Sequence, residues 1–391
     1  MSAARSRNPT SLYNVPIRDR PRPSFVAQAG LLLFYSVFLA LILVLHAFQL
    51  VVCLPLSLLL PKRVYRGLIA HTKDAFGAVL LLIVQGFGPS ELHLTAGRGI
   101  DLDRVCKIDK DGNVVGFNFD KQADLGSGII IILKASLRWA PIAMQLFQFI
   151  FVDKKHALQE GGLLQVAENA VAWNRPFQLL LFPEGTLVSR LTRPKSASFA
   201  KTSAIEDLKN TLLPRSTGLL YCLRTLSLAM PDLSVYDLTI GYDGVPAAGY
   251  AQDYFTLKTI FGLRTPPPRV HLHLRRYDVR DVPIGQVRPD RTAVQLERDV
   301  TEQERTAFQQ WTLDKWREKD KFMQSFYETG SFQKVSKEEA ASGVAKVSDH
   351  GAVATRVVRV RMRGKDVARI VSTVLGLAIW VRAIRWLLSP L

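Results

Sequence analysis

The stretch LLLFPEGTLVSRLTRPKS, Leu179 to Ser196, decides how this chain is read. Its opening leucines and Phe182 form an uncharged apolar run, and Pro183-Glu184-Gly185-Thr186 interrupts it with turn-forming residues. The pattern predicts a buried strand that ends in a tight turn. Ligands of open α/β sheets gather at the carboxyl ends of strands, where such a turn would stand. Gly185 permits close backbone approach, Thr186 offers a hydroxyl, and Arg190, Arg193 and Lys195 bring positive charge suited to an anionic head group. The competing reading is an ordinary strand-to-loop turn, since short motifs recur by chance.

The surrounding sequence has the same texture. Between Leu92 and Asp290, short apolar runs alternate with helix-like stretches and are separated by Gly, Pro and Asp. Strands are expected at Gly128 to Leu133, Phe147 to Val152, Phe177 to Phe182, Leu238 to Tyr242 and Val270 to Tyr277. The first three lack clean alternation, which suits a sheet covered by helices on both faces. Helices are expected at Leu158 to Asn174 and Ala204 to Leu212, with Pro214 to Met230 a loop leading into another. The prolines of RTPPPR, Arg264 to Arg269, demand an extended loop. From Arg291 to Tyr327, strong helix formers carry Phe308, Trp311, Leu313, Trp316, Phe322 and Phe326, an apolar stripe that docks on the domain.

Two ends of the chain point to a membrane. Residues 31 to 60, LLLFYSVFLALILVLHAFQLVVCLPLSLLL, contain no charged residue and exceed the roughly 20 apolar residues needed to span a bilayer. A second apolar stretch, Ala75 to Phe87, follows several basic residues, so one long span and a hairpin are both open. Val367 to Leu388 is apolar but holds Arg382 and Arg385, which leaves an interfacial helix competing with a span. The formal charge of +17 is concentrated in residues 1 to 29 and 352 to 391, which together carry eleven net positive charges beside these apolar runs. That placement favours anionic lipid over nucleic acid. A cleavable leader is disfavoured because the apolar run starts late and is too long. Too few spans are present for a transporter bundle. Cys53, Cys106 and Cys222 show neither zinc-site nor disulfide-framework spacing and read as reduced packing residues.

Several segments in order resemble the glycerolipid acyltransferase family: FPEGT after an apolar strand, TRPKSASFA, LLPRSTGL (Leu212 to Leu219), YDLTIGYDGVP (Tyr236 to Pro246) and PPPRVHLHLRRYDV (Pro266 to Val279). IIIILKASLRWAP at 129 to 141 and the Trp311, Trp316, Gly330, Phe332 pattern extend the likeness from near residue 30 to about Phe332. The branch is similar to the eukaryotic lysophosphatidic acid and lysocardiolipin acyltransferases. This resemblance implies a glycerolipid-acyltransferase-like α/β fold on N-terminal membrane helices. It implies acyl-CoA-dependent transfer to a lysophospholipid such as 1-acyl-sn-glycerol-3-phosphate, in phospholipid biosynthesis or remodelling. Acyl-CoA is then a co-substrate, and neither cofactor nor metal is required. Membrane lipid is the partner, and an endoplasmic reticulum location with a cytoplasmic N-terminus is expected. The resemblance assigns phosphate binding to Phe182, Pro183, Glu184 and Gly185, with Thr186 adjoining and Lys195 and Arg215 as helpers. Lys154, in FIFVDKK, stands near the family's usual arginine, though lysine lacks the bidentate fork.

One family feature is missing. The family places a His-x4-Asp pair just before the strand matched by IIIILKASL, where the histidine serves as general base. Here GFNFDKQA runs through Asp124 to Gly128 directly into that strand, and no histidine lies between His93 and His156. The linkage WAPIAMQLF is also short, and Leu187 replaces the polar residue that often follows FPEGT. His273 alone has an aspartate five positions on, Asp278, but an odd separation on a strand sends the side chains to opposite faces. No catalytic pair is therefore assigned. The alternatives are a shortened isoform of an active enzyme and an inactive lipid-binding homologue. The expected organisation is a basic flexible tail over 1–29, a membrane anchor over 30–90, the acyltransferase α/β domain over 91–288 and a helical extension over 289–332. A linker over 333–366 and a hydrophobic or interfacial helix over 367–391 complete it.

Overall fold

The computed structural model describes residues 12–108, 114–117, 128–132, 162–173, 177–343, 355–359 and 361–388. Its centre is a mixed six-stranded sheet. The strands are β1 (Glu91–Ala96), β4 (Gly128–Ile132), β5 (Phe177–Leu181), β6 (Ser234–Tyr242), β7 (Arg269–Asp278) and β8 (Thr355–Arg359), in the order β5-β4-β6-β7-β1-β8. A short hairpin of β2 (Cys106–Ile108) and β3 (Val114–Phe117) lies apart. β4 runs parallel to β5 and β6, β6 is antiparallel to β7, and β7 is parallel to β1. These directions bring the carboxyl ends of β4, β5 and β6 to the same end of the sheet as the amino ends of β7 and β1. The FPEGT turn follows β5 at that end.

One face of the sheet is covered by α5 (Gly162–Ala172), α7 (Ser216–Ala229) and α10 (Glu302–Thr329), whose buried side chains form the largest apolar cluster. α10 is long because both ends are specified. Thr301 and Glu304 make a reciprocal capping box, and Gly330, at φ 73°, closes the helix in the left-handed conformation glycine adopts freely. Its buried residues Phe308, Thr312, Trp316, Lys319, Met323 and Phe326 recur every three or four positions; of the expected stripe Phe308, Leu313, Trp316 and Phe326 are buried, while Trp311 and Phe322 are half-buried.

Lys319 is the surprise within that stripe. Its ammonium lies 2.5 Å from Asp237 on β6, and Arg275 on β7 donates to the same carboxylate at 2.5 Å. Glu318 accepts a further hydrogen bond from Arg275. Burial pushes the Asp237 carboxyl up, but Lys319 and Arg275 together outweigh it and hold it at about 2. Three side chains on β6, β7 and α10 thus share one buried charge cluster, which fixes how the long helix sits on the sheet.

All three long apolar helices meet the sheet at the end that carries the FPEGT turn. α1 (Phe25–Phe48) continues through a wide π turn (Gln49–Cys53) into α2 (Leu54–Leu59), and α3 (Lys62–Phe87) returns beside it and leads into β1. The third, α12 (Gly364–Leu388), follows β8, which adds antiparallel to β1. Each is long and apolar enough to cross a membrane. They pack on one another: Phe48, Val52, Cys53 and Ile69 gather against Leu377 and Trp380. Inside the bundle Gln49 donates to Thr72 at 3.0 Å, and at its surface Arg369 pairs with the exposed Asp74 at 3.0 Å.

Several expectations are corrected. Ala204 to Leu212 is a loop, not a helix: Asp320 on α10 accepts from the amides of Lys209, Asn210 and Thr211, and Arg193 donates to the carbonyls of Leu208, Lys209 and Thr211. Long-range partners have taken the backbone groups that a helix would use. The region 333–366, read as a linker, holds α11 (Gln333–Ala341) and β8, with Val335 buried. The described part of the basic tail is anchored, since Arg20 donates to Val15 O, Thr265 Oγ1 and Tyr254 O. Of the two forms left open for the anchor, the described residues show a helical hairpin, with a third helix packed on it. The expected strand Phe147 to Val152 and the ends of IIIILKASLRWAP beyond Ile132 lie outside the described residues, as does the place of the expected His-x4-Asp pair.

Candidate functional site

β5 delivers Phe182 to the sheet end, and the chain turns at once: the Gly185 amide donates to Phe182 O at 2.8 Å. Gly185 has φ 68°, a left-handed conformation that any side chain would strain, so glycine here is a backbone requirement. The turn is tied down by the Arg215 amide, which donates to Pro183 O at 2.8 Å. This bond brings LLPRSTGL, distant in sequence, against FPEGT. Arg215 immediately precedes α7, and its side chain lies over Gly185, where an added Cβ would sit 3.6 Å from the guanidinium Nε.

Two open clefts flank this contact. One, of about 630 Å³, is lined by Glu184, Thr186, Ser189, Lys195, Arg215 and Gln252 among others. Its neighbour, of about 640 Å³, runs from Phe182 and Pro183 past Arg215 to Ser216, Thr217 and Tyr221, with Glu297 and Gln309 of the C-terminal helices on its far wall. Gly185, Phe199, Pro214 and Arg215 border both. Arg215 and Lys195 are exposed and supply positive charge there.

Glu184 has an opposite character. It is only 5% exposed, receives a hydrogen bond from Trp316 Nε1 at 3.4 Å on one oxygen, and has no hydrogen-bond partner among the described residues on the other. That second oxygen is itself buried, although Glu184 lines the cleft wall. The cleft therefore presents cationic groups fitted to a phosphate beside a buried carboxylate.

The structure sorts the remaining candidates. Phe182, Pro183, Glu184, Gly185, Thr186, Lys195 and Arg215 are brought together. Lys154 lies outside the described residues. Arg193 is used to hold carbonyls of the 208–211 loop, and Arg190 pairs with Asp253 at 3.1 Å, so neither is free to line the cleft as the sequence reading allowed. His271 and His273 share one buried face of β7. His273 faces Glu339 at 3.2 Å, while Asp278 pairs with Arg280 on the other face at 2.6 Å. Trp316 was read from its spacing as a packing residue, and its role as donor to Glu184 has no local signature. Cys106 and Cys222 are buried, which pushes their thiols up to about 11 and about 12. Among the described residues no cluster of His, Cys, Asp and Glu is placed to hold a metal ion.

The chain is similar in sequence to known acyltransferases. Residues 293–349 match the acyltransferase C-terminus family. The chain is 34% identical over 246 residues to a 2-acyl-1-lysophosphatidylinositol acyltransferase of Saccharomyces cerevisiae, a match covering 54% of this chain and 57% of that protein. It is 30% identical to a Danio rerio lysocardiolipin acyltransferase 1 over 51% of this chain and 45% of the relative. A probable 1-acyl-sn-glycerol-3-phosphate acyltransferase 5 of Arabidopsis thaliana is 29% identical over 51% of this chain and 46% of its own length. The chain thus spans about half the length of these curated relatives. No solved structure matches it. The turn, the cleft and the matched C-terminal helices form one unit, and over these parts the chain is similar to acyltransferases that act on lysophospholipids.

Proposed function

We propose that the protein transfers an acyl group from acyl-CoA to the free hydroxyl of a lysophospholipid, 1-acyl-sn-glycerol-3-phosphate or a near relative, in phospholipid biosynthesis or remodelling. The observation that carries this reading is the Glu184-Gly185 bend held against Arg215 at a cleft that also presents Thr186 and Lys195. Arg215 and Lys195 bind the acceptor phosphate, and Glu184, hydrogen-bonded to Trp316, holds the bend in place. In the reaction the acceptor oxygen attacks the thioester carbonyl, the carbon–sulfur bond breaks, and the acceptor proton leaves with the CoA thiol. The relatives act on lysophosphatidylinositol, lysocardiolipin and 1-acyl-glycerol-3-phosphate by their names, and each such acceptor carries a phosphate. Residence in the endoplasmic reticulum with a cytoplasmic N-terminus belongs to the same proposal.

A second reading is favoured by one feature of the sequence: no histidine precedes the β4 strand within the stretch where the family places its general base. Under it, the protein binds lysophospholipid without acylating it. Purified protein in nanodiscs distinguishes the two, using lysophosphatidic acid binding and transfer from labelled acyl-CoA in parallel. Binding with transfer supports the enzyme, and binding without transfer supports the second reading. Loss of one charge-assisted contact, worth about 1.5–3 kcal/mol, means that Arg215→Ala should weaken binding by about 10- to 100-fold. Unchanged binding in both Arg215→Ala and Lys195→Ala refutes the phosphate assignment.

A further inference from the structure

Strand direction places the candidate cleft at the membrane end of the domain. α3 enters β1 there and α12 leaves β8 there, because Glu91 is paired with both Arg269 at the start of β7 and Arg359 at the end of β8. β6 ends at the same level, with Tyr242 opposite Val270. The π turn Lys258–Gly262 packs directly on α1: Phe261 stacks on Phe34 at 5.5 Å, beside the outward-facing Leu32 and Leu33. The α/β domain therefore reaches the level of lipid-facing anchor residues.

Three large apolar side chains are exposed along this end. Leu257, just before the π turn, is 61% exposed, Leu191 is 81% exposed and Phe199 is 51% exposed. Leu191 and Phe199 stand on the rim of the cleft that holds Glu184 and Lys195. The Arg190–Asp253 pair links the loop of Leu191, which runs into the helix Arg193–Thr202 that carries Phe199, to the helix Ala251–Tyr254, which leads through Leu257 to the π turn on α1. Exposed Arg190, Lys195, Lys201 and Lys258 are each within four residues of one of the three in sequence. Apolar side chains interspersed with Lys and Arg are the composition of surfaces that insert shallowly into anionic interfaces.

We infer that the face formed by Leu191, Phe199 and Leu257 is a second membrane contact, seated on an anionic bilayer surface and holding the cleft mouth against the lipid headgroups. A lipid acceptor then reaches Arg215 and Lys195 from the bilayer without crossing water. This contact does not depend on whether the protein transfers acyl groups.

The test uses the full chain with one added cysteine at a time, Leu191→Cys, Phe199→Cys, Leu257→Cys or Arg280→Cys, labelled with an environment-sensitive thiol fluorophore. The native cysteines are buried, and the unsubstituted protein reports their background labelling. Arg280 is the reference because it follows β7 at the opposite end of the sheet. In nanodiscs of phosphatidylcholine and phosphatidylserine carrying shallow doxyl-labelled lipid, the labels at 191, 199 and 257 should lose most of their fluorescence and the label at 280 should keep it. Labels at 191 and 199 that behave like the one at 280, while 257 is quenched, overturn the inference. The unsubstituted protein gives an independent readout with photoactivatable diazirine phospholipid. Lipid adducts on the peptides containing Leu191 and Phe199 support the contact, and adducts confined to the three long helices refute it.

Discussion

Replacing Asp237 with asparagine tests how the long C-terminal helix is held on the sheet. The substitution keeps the side-chain shape and removes the charge shared by Arg275 and Lys319. Lowering the carboxyl from 3.8 to about 2 corresponds, by linkage, to about 2 kcal/mol of stability at neutral pH. Removing one partner of a buried pair costs more, about 3–5 kcal/mol, because the remaining charge is left uncompensated. Arg275 retains Glu318, whereas Lys319 retains no carboxylate, only the Leu238 carbonyl at 3.3 Å and the Trp316 ring at 4.6 Å, so the main cost falls on Lys319. A loss of about 3 kcal/mol should lower Tm by roughly 5–10 °C in detergent, measured by intrinsic fluorescence or differential scanning calorimetry. The sign with pH follows from the depressed pKa. The contribution is complete above about pH 4 and is lost as pH falls from about 4 to about 2, so the variant and parent should converge in that window. Asp237→Asn combined with Lys319→Met should recover part of the loss, as expected for coupled residues. A variant whose Tm equals the parent's at neutral pH, or a double variant with fully additive losses, refutes the reasoning.

Gly185→Ala should cost about 1–2 kcal/mol from the left-handed backbone alone, because its new Cβ makes only ordinary contact with Arg215, whereas Gly218→Ala, with open space around it on α7, should not destabilise. Both are read as Tm shifts, and equal shifts contradict the assignment. Trp316→Phe removes the donor to Glu184 and should cost about 1–3 kcal/mol, with a smaller loss when Glu184 is already leucine. Equal losses in the two backgrounds would remove that hydrogen bond from the account. Thr301→Ala breaks the capping box and should cost about 1 kcal/mol, seen as a lower denaturant midpoint, and an unchanged midpoint contradicts the cap's role.

Local sequence determined the pieces whose physics is local. The uncharged run from Leu31 gave away the long apolar helix, the leucines before Phe182 marked a strand, and the alternating residues of VHLHLRRYD set the two faces of β7, with His271 and His273 together and Asp278 opposite. Gly185 was legible as a turn because its chemistry lies in its own backbone. Tertiary structure decided what depends on partners far away in the chain. Ala204 to Leu212 has helix-forming residues but gives its amides to Asp320, and Lys319 sits in an apolar stripe because Asp237 waits beneath it. The segment after Ser331 is polar in composition, yet it supplies a helix and an edge strand to the fold. Trp316 occupies a core position in the helical pattern, and only packing aims its indole at Glu184. Periodicity records which side of an element is buried; which group it meets there is a property of chain topology, since those contacts join residues separated by up to 132 positions and no local pattern encodes them.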